Sequence, residues 1–340
     1  MSNAPIFISG LDRSGKTTMR GFLQSHPNIS IPAVGSNMWT YFYQQFGDLQ
    51  ISENFERCLT SMLAYKHVAF LKPDADRIRE EFREGPPTYP HLFSLFLEHF
   101  SEREGKPRWG VQSGLNERYA DQIFQAYPGV KFVHMMRDPR DRYAGSLQLW
   151  PDGKLRAGGS VARFLYSTRF AERNIRKYPN SYLIVRFEDL IQHPERTLQE
   201  VCAFLGEEYD PELLSMPGAP EHRDKLIHRS TSQIGETPLS AEFIGIYRQV
   251  VPKLEIKYME AVIGGRMRDY GYPLESYRLS SKERLRYLFS TIPFNTITLL
   301  FWFFKEFIQI NIPGLFGRKP AANRIMKSKI ESKKQIEKKV

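Results

Sequence analysis

Residues 10–17 read GLDRSGKT: two glycines, a lysine and a hydroxyl, spaced to wrap an anion. Gly10 and Gly15 give a tight loop its backbone freedom, and the following TTMRGFLQSH forms helix readily, with Met19, Phe22 and Leu23 on one face. A helix that begins where such a loop ends points unpaired N–H groups and the positive end of its dipole at whatever the loop holds. Gly10, Gly15, Lys16 and Thr17 also satisfy the nucleotide pattern G-x-x-x-x-G-K-[ST], in which the lysine meets phosphates and the threonine meets magnesium. Phosphate or sulfate binding is therefore the chemistry these residues predict. Arg137 follows the strand-like run KFVHMM, with Asp138 and Asp141 close behind it as candidate ion-pair partners.

The elements that must position these groups alternate. Residues 6–8 (IFI), 131–136 (KFVHMM) and 181–187 (SYLIVRF) read as buried strands, with weaker strands at 28–32 and 109–112. Helical patterns fill 53–66, 74–84, 91–103, 116–127, 161–177, 194–205 and 240–263. Strands separated by helices in this rhythm predict an α/β, P-loop-like three-layer fold with a central parallel sheet flanked by helices. Ligands of such folds sit at the carboxyl ends of the strands, where the Gly10 loop and Arg137 both fall. Asp74-Ala75-Asp76 after Pro73 reads as a helix start in preference to a metal motif. The aromatic, uncharged stretch 37–47 reads as core or pocket wall.

The chain of 340 residues, 41% apolar, has enough hydrophobic sequence for a substantial core. Cys58 and Cys202 are too few for a disulfide framework or a Cys-rich zinc site, and the start MSNAPIF lacks the pattern of a secretory signal; both predict a cytoplasmic protein. The eight histidines show no H-x-x-x-H spacing, and no metal is expected. The formal charge of +10 is concentrated beyond residue 280, where thirteen Lys and Arg face four Glu, so the body is nearly neutral and nucleic acid is not an expected partner. The expected layout is one domain over 1–276, an apolar segment over 277–317 and a basic tail over 318–340. Within the apolar segment, 287–304 is uncharged, interrupted by Pro293 and Asn295, and marginal in length for a bilayer span. Basic residues on both sides of it predict peripheral attachment to an anionic membrane surface.

Besides DRSGKTT, the chain carries KFVHMMRDPRDRYAGS, then YLIVRFEDLIQHPERTLQEVCAFLGEEYDPELL, then HRSTSQIGETPLSAEFIGIYR and MRDYGYP. In these blocks and their order, over nearly all of residues 5–273, it resembles the sulfotransferases, especially the bacterial type. The resemblance implies transfer of a sulfuryl group from 3′-phosphoadenosine 5′-phosphosulfate (PAPS) to a hydroxyl or amine of an acceptor. It implies that Arg13, Ser14, Gly15, Lys16, Thr17 and Thr18 surround the 5′-phosphosulfate, and that Arg137 and Ser146 meet the 3′-phosphate. Arg229 and Ser230 match a loop that closes over the nucleotide in relatives. Ser146 stands one residue beyond the usual serine, whose place here is Gly145.

Two departures from the family pattern concern catalysis. The block WGVQSG has Gln112 where relatives often carry a lysine, and the usual loop has Thr where this one has Lys16. Both positions point at the same anion, so Lys16 is expected to supply the charge that Gln112 lacks. No carboxylate occurs in 29–47; Asp48 is the first after it, with His26 and His134 as further candidates for the acceptor's proton. Glu188 and Asp189 read as caps of the turn they begin. Two other readings remain: a kinase using magnesium-ATP, and a peripheral membrane-binding protein without catalysis.

Overall fold

The computed structural model describes residues 4–149, 156–227 and 241–311. Alternation along the first strand decides how its layers stack. In β1 (Ile6–Ser9) the side chains of Ile6 and Ile8 turn to one face, where Met19, Phe22 and Leu23 of the helix Lys16–Gln24 cover them. Phe7 turns to the other, into an aromatic layer with Trp39, Trp109 and Phe132. The rings of Phe7, Phe132 and Tyr182 form a row across neighbouring strands, with centroids 5.8 and 4.9 Å apart.

Five strands form one sheet in the order β2-β3-β1-β4-β5, where β2 is Ile29–Ser30, β3 Arg108–Gln112, β4 Lys131–Met136 and β5 Tyr182–Arg186. Every pairing is parallel, with Ile6 opposite both Gly110 and Lys131. The sheet is thus the predicted parallel α/β core, with helices on both faces. Its three inner strands, β3, β1 and β4, run almost entirely buried, as parallel strands covered twice must.

Several local expectations are corrected. The pattern over 240–263 is not one helix: among the described residues, short turns at Ala241–Phe243 and Tyr247–Val250 precede the helix Lys253–Asp269. Pro252 separates them, because a proline cannot donate the backbone hydrogen bond a continuing helix needs. Likewise 116–127 divides into a 3-10 turn, Asn116–Tyr119, and the helix Ala120–Ala126. Asp74 caps its helix by accepting from the amides of Asp76 and Arg77, as a helix start should.

The C-terminal apolar sequence forms the helix Ile292–Asn311, entered through a capped turn at Ser281–Arg286 and a π turn at Tyr287–Thr291. Pro293 falls just after the π turn, inside a continuous helical run, and a π turn is one of the irregularities by which a helix accommodates a proline. This helix lies along the long helix Arg156–Lys177. Contact is close because Gly158 and Gly159 have no side chains: a Cβ on Gly158 would sit 1.8 Å from the Asn295 carbonyl oxygen. The basic residues 318–340 lie outside the described residues.

Candidate active site

The loop between β1 and its helix is held from two sides. Gly10 (φ +123°) passes so close to β4 that a Cβ there would fall 2.2 Å from the Met135 carbonyl oxygen. Gly15 (φ +92°) does the same against the Phe187 ring, at 2.3 Å. The loop closes with Ser14 N–H donating to the Leu11 carbonyl, and the helix begins with Met19 N–H donating to that of Gly15. Its first-turn N–H groups therefore face the loop's hollow. Ser14 Oγ is buried there without a hydrogen-bond partner among the described residues, Thr17 is exposed at the helix start, and Thr18 Oγ1 lies 3.4 Å from His222 Nε2.

Arg137 follows β4 and reaches the same place. Its guanidinium lies 4.5 Å over the Phe187 ring, against which Gly15 also packs. Arg137 donates to the carbonyls of Arg13 (3.3 Å) and Phe243 (2.5 Å), and its Nε is buried without a partner among the described residues. Burial lowers its pKa, partly offset by Asp141, Glu188 and Asp138. Glu188, expected to cap the turn it begins, instead accepts from the Asp138 N–H at 2.9 Å and from the Tyr272 hydroxyl at 3.3 Å. It thereby fixes the backbone just after Arg137, and burial raises its pKa to about 7 despite the Asp138 amide.

Lys16 curls back so that its ammonium donates to the carbonyls of Gly10 (2.9 Å) and Leu11 (2.6 Å). That places the charge at the seam with β3, because the Gly10 oxygen is 3.8 Å from the Cβ position of Gly114. Burial lowers the lysine's pKa, and Asp12 and Glu117 pull it back up. Asp12 pairs with Arg163 at 2.9 Å; burial would raise its pKa, but Arg163 and Lys16 hold it at about 2. Arg142, wholly buried, bonds Ser160 and leaves Nε and Nη1 unpartnered among the described residues, and burial together with Arg163 lowers its pKa to about 9. Below the loop, Glu117 joins Ser9, Ser167, His134 and Tyr182 in one buried hydrogen-bonded network.

The other expected residues fall as follows. Gln112 ends β3 but its amide donates to the Ala33 carbonyl at 3.4 Å, away from Lys16. Ser146 is buried with its hydroxyl bonded to the Arg142 carbonyl one turn back, and Gly145 is the residue that lies against the Arg13 side chain. Asp48 is not brought to the loop: it lines a separate cleft of about 790 Å³ with Tyr43, Pro87, Tyr89 and Gln122. His26 is buried with one ring nitrogen on the Glu208 carbonyl and the other accepting from Asn28 N–H. His134 belongs to the buried network, where burial lowers its pKa. Arg229 and Ser230 lie outside the described residues.

First-turn amides and the buried Ser14 hydroxyl at the end of β1, and the Arg137 Nε after β4, the last two without a partner among the described residues, are donors of the kind an anion takes. A family model described as "Sulfotransferase family" matches residues 5–211. The chain belongs to the sulfotransferase family. It is an enzyme of sulfuryl transfer. In fold this sulfotransferase is similar to the sulfotransferase domain of the Synechococcus PCC 7002 olefin synthase. The two are 17% identical with a TM-score of 0.51, covering 80% of this chain and 96% of that one. A sulfotransferase from Mycobacterium avium is 12% identical, with 81% and 78% covered and a TM-score of 0.45. For a mouse sulfotransferase complexed with PAP the values are 14%, 79% and 85%, and 0.43.

Four residues at or beside the loop were not singled out from sequence. Asp12 stands inside the loop, yet only the fold shows its partner Arg163, 151 positions away. Glu117 falls within the helical pattern 116–127 and Arg142 within the RDPRDRYAGS block, and neither has a neighbour in sequence that marks it as buried at the loop. Phe187 reads as the last apolar residue of a strand, whereas it begins the helix Phe187–Gln192 with its ring under both Gly15 and Arg137.

Proposed function

We propose that the sulfuryl donor is PAPS, its phosphosulfate lying on the 13–18 loop and its 3′-phosphate on Arg137. The observation that supports this is the meeting of Arg137, from the end of β4, with the loop: it donates to the Arg13 carbonyl at 3.3 Å and lies over the Phe187 ring, against which Gly15 also packs. When bound, PAPS supplies a sulfuryl group already activated by its bond to phosphate. An acceptor oxygen or nitrogen forms a bond to sulfur, the bond to the bridging oxygen breaks, and the bisphosphate leaves with that electron pair while the acceptor's proton passes to water. Lys16, released from the Gly10 and Leu11 carbonyls, turns its ammonium to the oxygen that gains charge, and the amides of the first helical turn hold the phosphate beneath it. With Gln112 turned to Ala33, Lys16 is the cation of this corner in place of the usual lysine.

The test is calorimetry with 3′,5′-bisphosphoadenosine against magnesium-ATP. Binding of the bisphosphate, weakened several-fold to hundreds-fold in Arg137→Ala, supports the reading. Preference for magnesium-ATP, or an affinity indifferent to Arg137, overturns it.

We also infer that the enzyme works on the cytoplasmic side, peripheral to an anionic membrane. The run Ser281–Gln309 is long and apolar enough to cross a membrane, but one side of it is committed to the protein. Asn295 and Glu306 are buried against the domain, and Glu306 pairs with Arg118. Lys282, Arg284 and Arg286 precede the apolar helix and nine Lys and Arg follow within 318–340, a charge pattern complementary to anionic lipid.

A further inference from the structure

Three contacts fix where the C-terminal helix lies relative to the site. Asn295 Oδ1 accepts from the Gly158 N–H at 3.1 Å, Tyr166 donates to the Phe303 carbonyl at 3.1 Å, and the Trp302 ring fills the space beside Gly159. On the long helix, Gly159, Arg163 and Tyr166 are spaced four and three apart and share one stripe. Gly159 and Tyr166 carry the C-terminal helix, and Arg163 between them reaches the loop at Asp12. A second link is as short: Glu117 bonds Ser9 at the end of β1, and its neighbour Arg118 holds Glu306. The C-terminal helix therefore flanks the phosphate loop, about one helix diameter (~10 Å) away.

Its outer face is apolar. Phe289, Phe294, Ile297, Leu300, Phe301 and Phe304 are each more than half exposed, and Phe289 is 78% exposed. An in-plane helix sinks such a face about 5–10 Å into the boundary between headgroups and acyl chains. The loop would then stand at headgroup height.

We propose that the acceptor is an amphiphile resident in that bilayer, whose headgroup hydroxyl or amine meets the phosphosulfate beside Asp12 and Arg163. This rests on the sulfuryl-transfer and membrane readings above. The bond made is from headgroup oxygen or nitrogen to sulfur, and the bond broken is the donor's bridging bond, whose electron pair leaves with the bisphosphate while the headgroup's proton passes to water, so no further reactant is needed.

The full chain is incubated with radiolabelled PAPS and the membranes and cytosol of the source cells, and label is read in the lipid, protein and aqueous pools. Label is expected in the lipid pool, falling at least ten-fold for Ile297→Glu combined with Phe301→Glu, while bisphosphate binding by calorimetry is unchanged. Label confined to protein or aqueous products, no label at all, or lipid labelling indifferent to the double variant overturns the proposal. So does a dimer in sedimentation that the double variant dissociates, because the face would then belong to a second copy. Failure of bisphosphate binding in the unaltered chain would instead remove the underlying reading.

Discussion

At the scale of single residues, the loop concentrates positive charge where an ordinary surface would separate it. Lys16, Arg142 and Arg163 crowd one carboxylate, Asp12, held ionised down to about pH 2. Such a corner is stable enough to persist and poised to accept more negative charge. If Lys16 is the charge that Gln112 lacks, Lys16→Thr lowers turnover by orders of magnitude, and adding Gln112→Lys restores part of it. Steady-state rates decide: an unchanged rate in the single variant, or no gain in the double, removes the exchange of roles. Glu188 gives a pH prediction independent of catalysis. Its folded pKa of about 7 is raised above the ordinary carboxyl value, so the folded state binds the proton more tightly than the unfolded chain. Stability from this group is complete below about pH 4.5 and is lost as pH rises to about 7, by about 3 kcal/mol in all. Thermal unfolding from pH 4.5 to 8 should show that decline in the native chain and a flatter curve in Glu188→Gln. Equal slopes would show that Glu188 titrates normally.

At the scale of elements, the strands were legible because their apolar runs are short, uncharged and bounded by turns, and the loop because its glycines and helix lie in one local string. What lay beyond reading was set by partners distant in sequence. Ser146 and Gly145 differ by one helical step, and their roles follow from which of them meets Arg13. Asp48 was chosen for its place after a carboxylate-free stretch, whereas the fold carries it to another cleft. Pro293 and Asn295 read as interruptions of an apolar segment; in three dimensions one follows a π turn and the other binds Gly158. That last contact reverses a rule of propensity. Alanine in place of glycine inside a helix ordinarily gains up to about 1 kcal/mol. At Gly158 the added methyl would strike the Asn295 carbonyl, so Gly158→Ala should destabilise by about 1–3 kcal/mol. Chemical denaturation measures the sign, and a stabilised variant would mean that the two helices are not packed here.

At the scale of the whole molecule, the C-terminal helix has two faces with separable jobs, and the separation can be measured. Its inner face contributes Asn295, Trp302 and Glu306 to the domain, so ending the chain after Ser276 uncovers Gly158 and Gly159 and takes away the carboxylate that pairs with Arg118. The truncated chain, without this packing and this ion pair, should unfold at a lower temperature as well as lose membrane binding. Its outer face makes no such contribution. Ile297, Phe301 and Phe304 are 68%, 62% and 65% exposed, and replacing all three by Glu should leave unfolding within about 0.5 kcal/mol per site of the native chain. Each of these side chains is worth about 1.5–3 kcal/mol when fully withdrawn from water, so their loss should lower partition onto vesicles of phosphatidylcholine and phosphatidylglycerol by more than a hundred-fold. Raising salt should weaken binding of the native chain, because the basic flanks act through screened attraction, but should not abolish it while the apolar face remains. Flotation and thermal unfolding run on the native, truncated and triply substituted chains give three distinct patterns. Flotation of the triple variant equal to that of the native chain would show that the outer face does not enter lipid.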